Sequence, residues 1–190
     1  MKRVIGILFL VIIIVGCNQN IDPENSSQEV DKTVETEDSL VIDESIDYSK
    51  IGFELMETEK IGELKLDMKL EAIEKIMGKP HDVTAFEYWE ADGYEHQSRF
   101  YQDSTIDVGY IKLDDGEIVV DRIFIDNNTK FKTTQNIGVG STKRDILKAY
   151  EGKISNVSKG SVIVGSIYGG ILFYLENGTV KSIFFGVAAE

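Results

Sequence analysis

The chain has 190 residues and a formal net charge of −13, with 33 acidic residues against 20 Lys and Arg. This balance excludes the basic footprint of a nucleic-acid-binding protein, and it excludes electrostatic attraction to an anionic lipid surface. The single cysteine excludes an intramolecular disulfide and a cysteine-rich zinc site.

Residues 1–16 have the pattern of a secretory signal peptide. Lys2 and Arg3 precede an apolar run over residues 4–15. This run is shorter than the roughly 20 residues of a bilayer span and has the length of a signal core. It ends in Ile14-Val15-Gly16-Cys17, which resembles a lipobox. The resemblance implies cleavage before Cys17, diacylglycerol and palmitate-type chains on that cysteine, and attachment to the extracytoplasmic face of the cell membrane.

Residues 17–50 are predicted to be a disordered acidic tether behind the lipidated cysteine. From residue 18 to residue 50 there are ten acidic residues and two lysines. Such a segment buries too little apolar surface to offset the entropy of ordering it, and its charges repel one another. An acidic interaction site is the alternative interpretation. The globular part is then residues 51–190.

Two similar helical segments occur in the globular part. Residues 61–80 and residues 137–153 each contain apolar residues at helical spacing followed by a glycine, Gly78 or Gly152. Both segments therefore predict a short helix. Asp67 and Ser141 are the predicted N-caps.

The second helix carries a further start signal. Thr142 and Asp145 have the spacing of a capping box. The glycine pattern of residues 138–143 fails the phosphate-binding motifs, so a capped helix start is favoured there.

Two hairpins follow the predicted helices. Asp115-Gly116 and Asn177-Gly178 both favour type I′ turns, whose central residues need positive φ. The strands after these turns, near residues 118–125 and 180–185, are rich in β-branched and aromatic residues. The acids at the first turn are explained by turn chemistry, with calcium binding as the alternative.

These elements predict an α+β fold. We expect a tandem repeat of a short helical element followed by an antiparallel β-meander, with the helices on one face of the sheet. Repeat one covers residues 51–127 and repeat two covers residues 128–190.

The repeat resembles the SmpA/OmlA lipoproteins and the tandem-repeat fold of the β-lactamase inhibitory protein. The resemblance rests on Met68 and Gly78-Lys79-Pro80 in the first copy, and on Gly140-Ser141-Thr142 and Gly152 in the second. The second copy has Ile154 where proline is expected. The resemblance implies a non-catalytic binding or accessory protein of the bacterial envelope, or an inhibitor of a secreted enzyme.

No catalytic, metal or cofactor motif is found in the sequence. His81 and His96 are the only histidines, and both are interpreted as surface or loop residues. No serine lies in a nucleophile elbow, and zinc-binding spacing is absent. We therefore expect a protein that is not an enzyme and binds no cofactor. An extracellular hydrolase that uses His96 or an acid pair is the remaining alternative.

The aromatic segment of residues 83–101 holds the candidate binding residues. Tyr88, Trp89 and Tyr94 lie among acidic neighbours, a setting typical of interface anchors. We predict that they contact a protein or cell-wall partner. The alternative is that alternate aromatic residues line the core.

Overall fold

The structure is a computed structural model that describes residues 42–103, 105–127 and 129–188. This part of the chain is mostly antiparallel sheet with three helices, which confirms the predicted α+β class. In chain order the elements are α1 Tyr48–Thr58, α2 Leu70–Met77, β1 Asp82–Val83, β2 Glu87–Trp89, β3 Tyr94–Tyr101, β4 Ile106–Lys112, β5 Ile118–Ile125, α3 Lys143–Ala149, β6 Ile154–Val157, β7 Ser161–Ser166, β8 Gly169–Glu176 and β9 Thr179–Gly186. The predicted signal peptide, Cys17 and most of the predicted tether lie outside the described residues. None of the described helices, of which α1 is the longest at 11 residues, has both the length and the apolar composition of a membrane span.

One continuous sheet connects the nine described strands. Its order is β1-β3-β4-β5-β9-β8-β7-β6, and β2 also pairs with β3. At the centre β5 and β9 are antiparallel neighbours, with Arg122 opposite Gly186 and Ile125 opposite Ile183. The meander β3–β5 and the meander β7–β9 therefore belong to the same sheet.

The two predicted hairpins are present, but their turns differ. In the β8–β9 turn Asn177 has φ 52° and Gly178 has φ 77°, as a type I′ turn requires. Among the described residues of the β4–β5 turn, Gly116 alone has positive φ, at 84°, and its N–H donates to the Leu113 carbonyl at 2.8 Å. The type I′ prediction was therefore wrong for Asp115-Gly116. The Leu113 N–H donates to the Glu117 carbonyl at 2.8 Å, so three residues, 114–116, form the loop, and the chain reverses through a turn that ends in a left-handed glycine.

Helices α2 and α3 confirm the two predicted helical segments. Thr142 is the N-cap of α3, and its hydroxyl accepts the Asp145 N–H at 3.2 Å. The Asp145 carboxylate accepts the Thr142 N–H at 2.8 Å, which completes the predicted capping box. The N-cap of α2 is Lys69, so Asp67 and Ser141 were wrong predictions.

A short lead-in segment, residues 66–69 before α2 and residues 140–142 before α3, explains why the predicted caps were wrong. The Asp67 N–H donates to the Val120 carbonyl at 2.8 Å, and the Val180 N–H donates to the Ser141 carbonyl at 2.8 Å. These bonds hold Asp67 beside β5 and Ser141 beside β9. The helices begin only after this long-range pairing ends.

Helix α1 begins at Tyr48, three residues before the predicted start of the globular part at residue 51. Asp47 caps the helix by accepting the Lys50 N–H at 3.1 Å. Gly52 approaches the β7–β8 hairpin so closely that a Cβ there would lie 1.8 Å from the Gly169 carbonyl oxygen. Packing on the hairpin fixes the position of α1, including the three residues at its start that were assigned to the tether.

The core lies between the sheet and the helices. Ile73 of α2 and Ile146 of α3 are fully buried in it. At the end of α1, Glu59 is only 3% exposed and accepts hydrogen bonds from the Thr134 N–H at 2.6 Å and the Tyr150 hydroxyl at 3.1 Å. Burial raises the pKa of Tyr150, and the Glu59 carboxylate raises it further. The Tyr150 hydroxyl therefore keeps the proton that it donates.

Candidate functional site

The predicted binding residues lie in the hairpin of β2 and β3. Trp89 is opposite Tyr94 in the register, and Tyr88 is opposite Glu95. Because successive strand residues point to opposite faces, Tyr88 lies on the other face from Trp89 and Tyr94. Tyr88 is 65% exposed, whereas Trp89 and Tyr94 are half-buried. The three residues therefore do not form one aromatic patch.

Trp89 instead belongs to a packed group with His96 and Arg122, which we call the Trp89 stack. The Trp89 and His96 ring centroids are 3.9 Å apart and the ring planes differ by 13°. The Arg122 guanidinium carbon lies 5.1 Å from the Trp89 ring centroid, within cation–π distance. The indole of Trp89 therefore has partners inside the fold.

His96 is buried in β3, so its interpretation as a surface or loop residue was wrong. Its side chain is 4% exposed. Nδ1 lies 2.7 Å from Asp121 Oδ2, and Nε2 lies 2.7 Å from Asp92 Oδ2. A ring with a proton on each nitrogen donates to both carboxylates, whereas a neutral ring donates to one. The two carboxylates offset the cost of burying a polar ring in the sheet.

A β-bulge sets the position of Asp121. Tyr110 pairs with Val120, whereas its neighbour Gly109 pairs with Arg122, so Asp121 is the additional residue of β5. A bulge changes the direction of a side chain and interrupts the regular alternation of faces. Asp121 and Arg122 are adjacent in sequence, yet both reach the Trp89 stack, with Arg122 Nη1 3.2 Å from Asp121 Oδ2.

Gly109 provides the space in which the Arg122 side chain lies. A Cβ at Gly109 would come within 2.3 Å of Arg122 Cγ. Arg122 Nη2 donates to Ser98 Oγ at 2.9 Å, and Ser98 Oγ donates to Asp107 Oδ2 at 3.3 Å. Burial raises the pKa of Asp107, and the Arg122 charge and the Ser98 hydrogen bond reduce that rise. The Arg122 guanidinium is thus held by groups within the fold, Ser98 and Asp121.

A cleft of about 670 Å³ opens beside the Trp89 stack, and we call it the α1 cleft. Its walls come from α1, the lead-in to α2, the β2–β3 turn and strands β3 to β5. Apolar lining residues include Phe53, Met56, Leu66, Ile111, Leu113 and Val119. The charged and ionisable lining residues are Glu57, Asp67, Asp92, His96, Asp121 and Arg122. The volume lies within the range of about 300–1,000 Å³ that is typical of small-molecule sites.

The polar groups at the α1 cleft are suited to binding. Both nitrogens of His96 lie 2.7 Å from carboxylate oxygens, so both hydrogen-bonding positions of the ring are used within the fold. In the described part of the chain no group of three or more His, Cys, Asp or Glu side chains is arranged to hold a metal ion. His81, the other histidine, is exposed as predicted.

Sequence reasoning missed most of the site. It identified Trp89 as a binding candidate, but it did not connect Trp89 with His96, Asp121 or Arg122 in one group of residues. One signal was available: Asp121 and Arg122 interrupt the otherwise apolar strand Ile118–Ile125. Two adjacent charges in a central strand need a specific partner, because unpaired buried charges are costly.

Comparisons with protein-family models, with curated proteins and with solved structures gave no match to this chain. The resemblance to the SmpA/OmlA lipoproteins and to the β-lactamase inhibitory protein fold therefore stays a prediction.

Proposed function

We propose that this chain is a non-catalytic, lipid-anchored binding protein at the extracytoplasmic face of the cell membrane, and that the α1 cleft is its binding site. The observation that supports the proposal is the lining of the α1 cleft, which combines apolar side chains with a few polar groups in fixed positions. This combination is typical of sites that bind small molecules, where apolar contacts supply affinity and polar groups supply orientation.

The polar side of the α1 cleft is already organised without a ligand. His96 is held by two carboxylates, and Arg122 is held by Asp121, Ser98 and the Trp89 ring. Groups that keep their positions before binding lose little conformational entropy when a ligand arrives. This favours a small ligand over the predicted protein or cell-wall partner.

The proposed membrane attachment rests on the lipobox-like sequence that ends at Cys17. A lipobox cysteine carries at least two chains, which is the number needed for firm anchoring. With a net charge of −13, the chain is not held at an anionic membrane by charge.

We also infer that the described domain is a tandem repeat with α2 and α3 on one face of the sheet. Glu74 of α2 contacts Arg99 at 3.1 Å, and the Tyr150 ring after α3 lies 5.7 Å from the Phe173 ring. The strand register places Arg99 and Phe173 on the same sheet face. The two matching lead-in segments also support the repeat.

Binding of a neutral apolar probe tests the proposed site. We expect the full chain to bind N-phenyl-1-naphthylamine with an increase in probe fluorescence. Ala91 is exposed and lines the α1 cleft, so Ala91→Phe should fill part of the cleft and weaken binding. Ala85→Phe is the matched control, because Ala85 is exposed and does not line the cleft. Absence of binding by the native chain, or equal loss in both variants, would overturn the proposal.

An inhibitor of a secreted enzyme is the second candidate, and the open part of the sheet favours it. Phe124 and Phe184 are neighbours across β5 and β9 and are partly exposed, and Tyr174 on β8 is 39% exposed. Exposed aromatic residues on a sheet face are suitable anchors for a protein partner. Assays of secreted hydrolases with the native chain and with Tyr174→Ser test this candidate, which fails if neither protein changes any rate.

A further inference from the structure

The α1 cleft carries an excess of negative charge. Four carboxylates line it, on Glu57, Asp67, Asp92 and Asp121. The basic residues of the lining are Arg122 and His96. The net charge of the lining is therefore −2 even when His96 is protonated. The electrostatic potential of such a cleft favours a cation over an anion.

The two cations of the lining do not neutralise all four acids. His96 lies between Asp92 and Asp121, and Arg122 contacts the same Asp121 oxygen as His96 does. Two carboxylates and two cations therefore form one internal group. The charges of Glu57 and Asp67 lie outside this group and have no cation of the lining beside them.

Glu57 and Asp67 are the free acids of the α1 cleft. Both are exposed, one on α1 and one in the lead-in to α2. Within the described residues neither carboxylate accepts a hydrogen bond or pairs with a cation. Each is thus free to meet the charge of a ligand, without first breaking an internal contact.

An apolar surface continues from the α1 cleft to the outside of the molecule. Phe53 and Val187 line the cleft and are 53% and 39% exposed. Ile167 lies beside them, since its carbonyl accepts the Ala188 N–H at 2.9 Å, and its neighbour Tyr168 is also exposed. A ligand in the cleft therefore meets apolar side chains inside and at the rim, next to uncompensated carboxylates.

We propose that the α1 cleft binds a small amphiphilic cation, that is, an alkyl or aryl group joined to an amine or a quaternary ammonium. The apolar group packs against Met56, Leu66 and Val119, and the cation lies near Glu57 and Asp67. This inference rests on the proposed binding function and adds the ligand class.

Three probes with the same alkyl chain and different head groups test the charge preference. Decyltrimethylammonium is the cation, decanol is neutral and decanoate is the anion, each used below its micelle concentration. Displacement of N-phenyl-1-naphthylamine from the full chain gives the affinity of each probe. We expect the cation to bind at least about tenfold more tightly than the anion, with a preference that falls as salt rises.

The outcomes separate the ligand class from the binding function. Equal affinity for all three probes, or tighter binding of decanoate, would overturn the charge inference while leaving an apolar binding site. If the dye binds but none of the three probes displaces it, the inference fails and the proposed binding function stands; if the dye itself does not bind, both fail. Lengthening the alkyl chain of the cation should improve affinity by about fourfold per methylene, as expected for apolar burial.

Isosteric substitutions locate the charge effect. Glu57→Gln and Asp67→Asn should each lower the affinity for decyltrimethylammonium by about two- to fivefold, as expected for exposed ion pairs. Neither change should alter the affinity for decanol. Asp67 has φ 60°, a conformation that Asn also adopts readily. The matched controls are Glu151→Gln and Asp103→Asn, both exposed outside the cleft, and Asp103 has a similar φ of 54°. Equal effects in the test and control variants would overturn the assignment.

Discussion

Because Gly52 of α1 contacts the β7–β8 hairpin, we expect Gly52→Ala to destabilise the protein, although helix propensity alone predicts that it stabilises. In an exposed helix interior, replacing glycine by alanine stabilises by about 1 kcal/mol. In this protein the new Cβ would lie 1.8 Å from the Gly169 carbonyl oxygen and 2.7 Å from its carbonyl carbon. Both are backbone atoms of β8 and cannot rotate away. Gly52→Ala must therefore push α1 off the hairpin.

The size of the effect follows from the distance. The carbon–oxygen separation must grow from 1.8 Å to an ordinary contact of 3.4–4 Å, and Leu55, which is buried one turn later, moves with the helix. Overpacking of this kind costs about 1–3 kcal/mol. Because the overlap at 1.8 Å is with backbone, the cost lies in the upper part of this range, about 2–3 kcal/mol, and subtracting the gain in propensity of about 1 kcal/mol leaves a net loss of about 1–2 kcal/mol. For a domain of this size that corresponds to a fall in Tm of roughly 2–8 °C.

Thermal unfolding followed by circular dichroism measures the change, and urea unfolding gives the free energy. Glu54→Ala is the control, because Glu54 is an exposed residue of the same helix. It should change Tm little. Since Phe53 and Met56 of α1 line the cleft, Gly52→Ala should also weaken probe binding. An unchanged or raised Tm in Gly52→Ala would refute the packing argument.

Three further predictions concern other parts of the chain. Gly109→Ala should displace Arg122 and cost about 1–2 kcal/mol in urea unfolding, through lost hydrogen bonds and cation–π contact. In an Arg122→Ala background, Gly109→Ala should hardly change the free energy of unfolding. Equal losses in both backgrounds would show that Gly109→Ala does not act through Arg122. Asp107→Asn should stabilise the fold at pH 7, because burial raises the pKa of Asp107 and the folded state therefore disfavours its ionised form. The stability gained by Asp107→Asn should disappear as the pH falls below 3.8, the ordinary pKa of an aspartate, because Asp107 is then protonated in both states. A gain in stability that grows toward low pH would contradict the prediction. Cys17→Ser should move the protein from the membrane fraction to the soluble fraction of fractionated cells, whereas unchanged membrane retention would exclude lipid on Cys17 as the anchor.

Two features of the fold that depend on near neighbours were predicted correctly, although the type I′ turn predicted at Asp115-Gly116 was not. The capping box joins Thr142 and Asp145, three residues apart, and the type I′ turn depends on Asn177 and Gly178 alone. In each case the hydrogen bonds or dihedral preferences lie within one turn of chain. The same reasoning went wrong at Asp67, because the backbone of that residue bonds to Val120 instead of starting a helix.

The candidate site depended on contacts between distant residues. Trp89 was identified from its composition and surroundings, but the stack around it was not. His96 meets Asp121 across 25 positions of sequence, and a bulge in β5 directs Asp121 towards it. A search for motifs cannot find such a pair, since neither the pairing of strands nor the position of a bulge follows from local spacing.

By itself the sequence determined the short helices, the hairpins, the α+β class and the lack of basic charge for nucleic acid, because these follow from local periodicity, turn chemistry and composition. The lipobox-like segment that ends at Cys17 predicts the anchor on the same local grounds. Only the tertiary structure decided that β5 and β9 join the meanders into one sheet, that α1 lies on Gly169, and that a cleft with free acids opens beside His96. The physical reason is that burial and charge compensation depend on which distant residues meet, and this is set by the packing of the whole sheet.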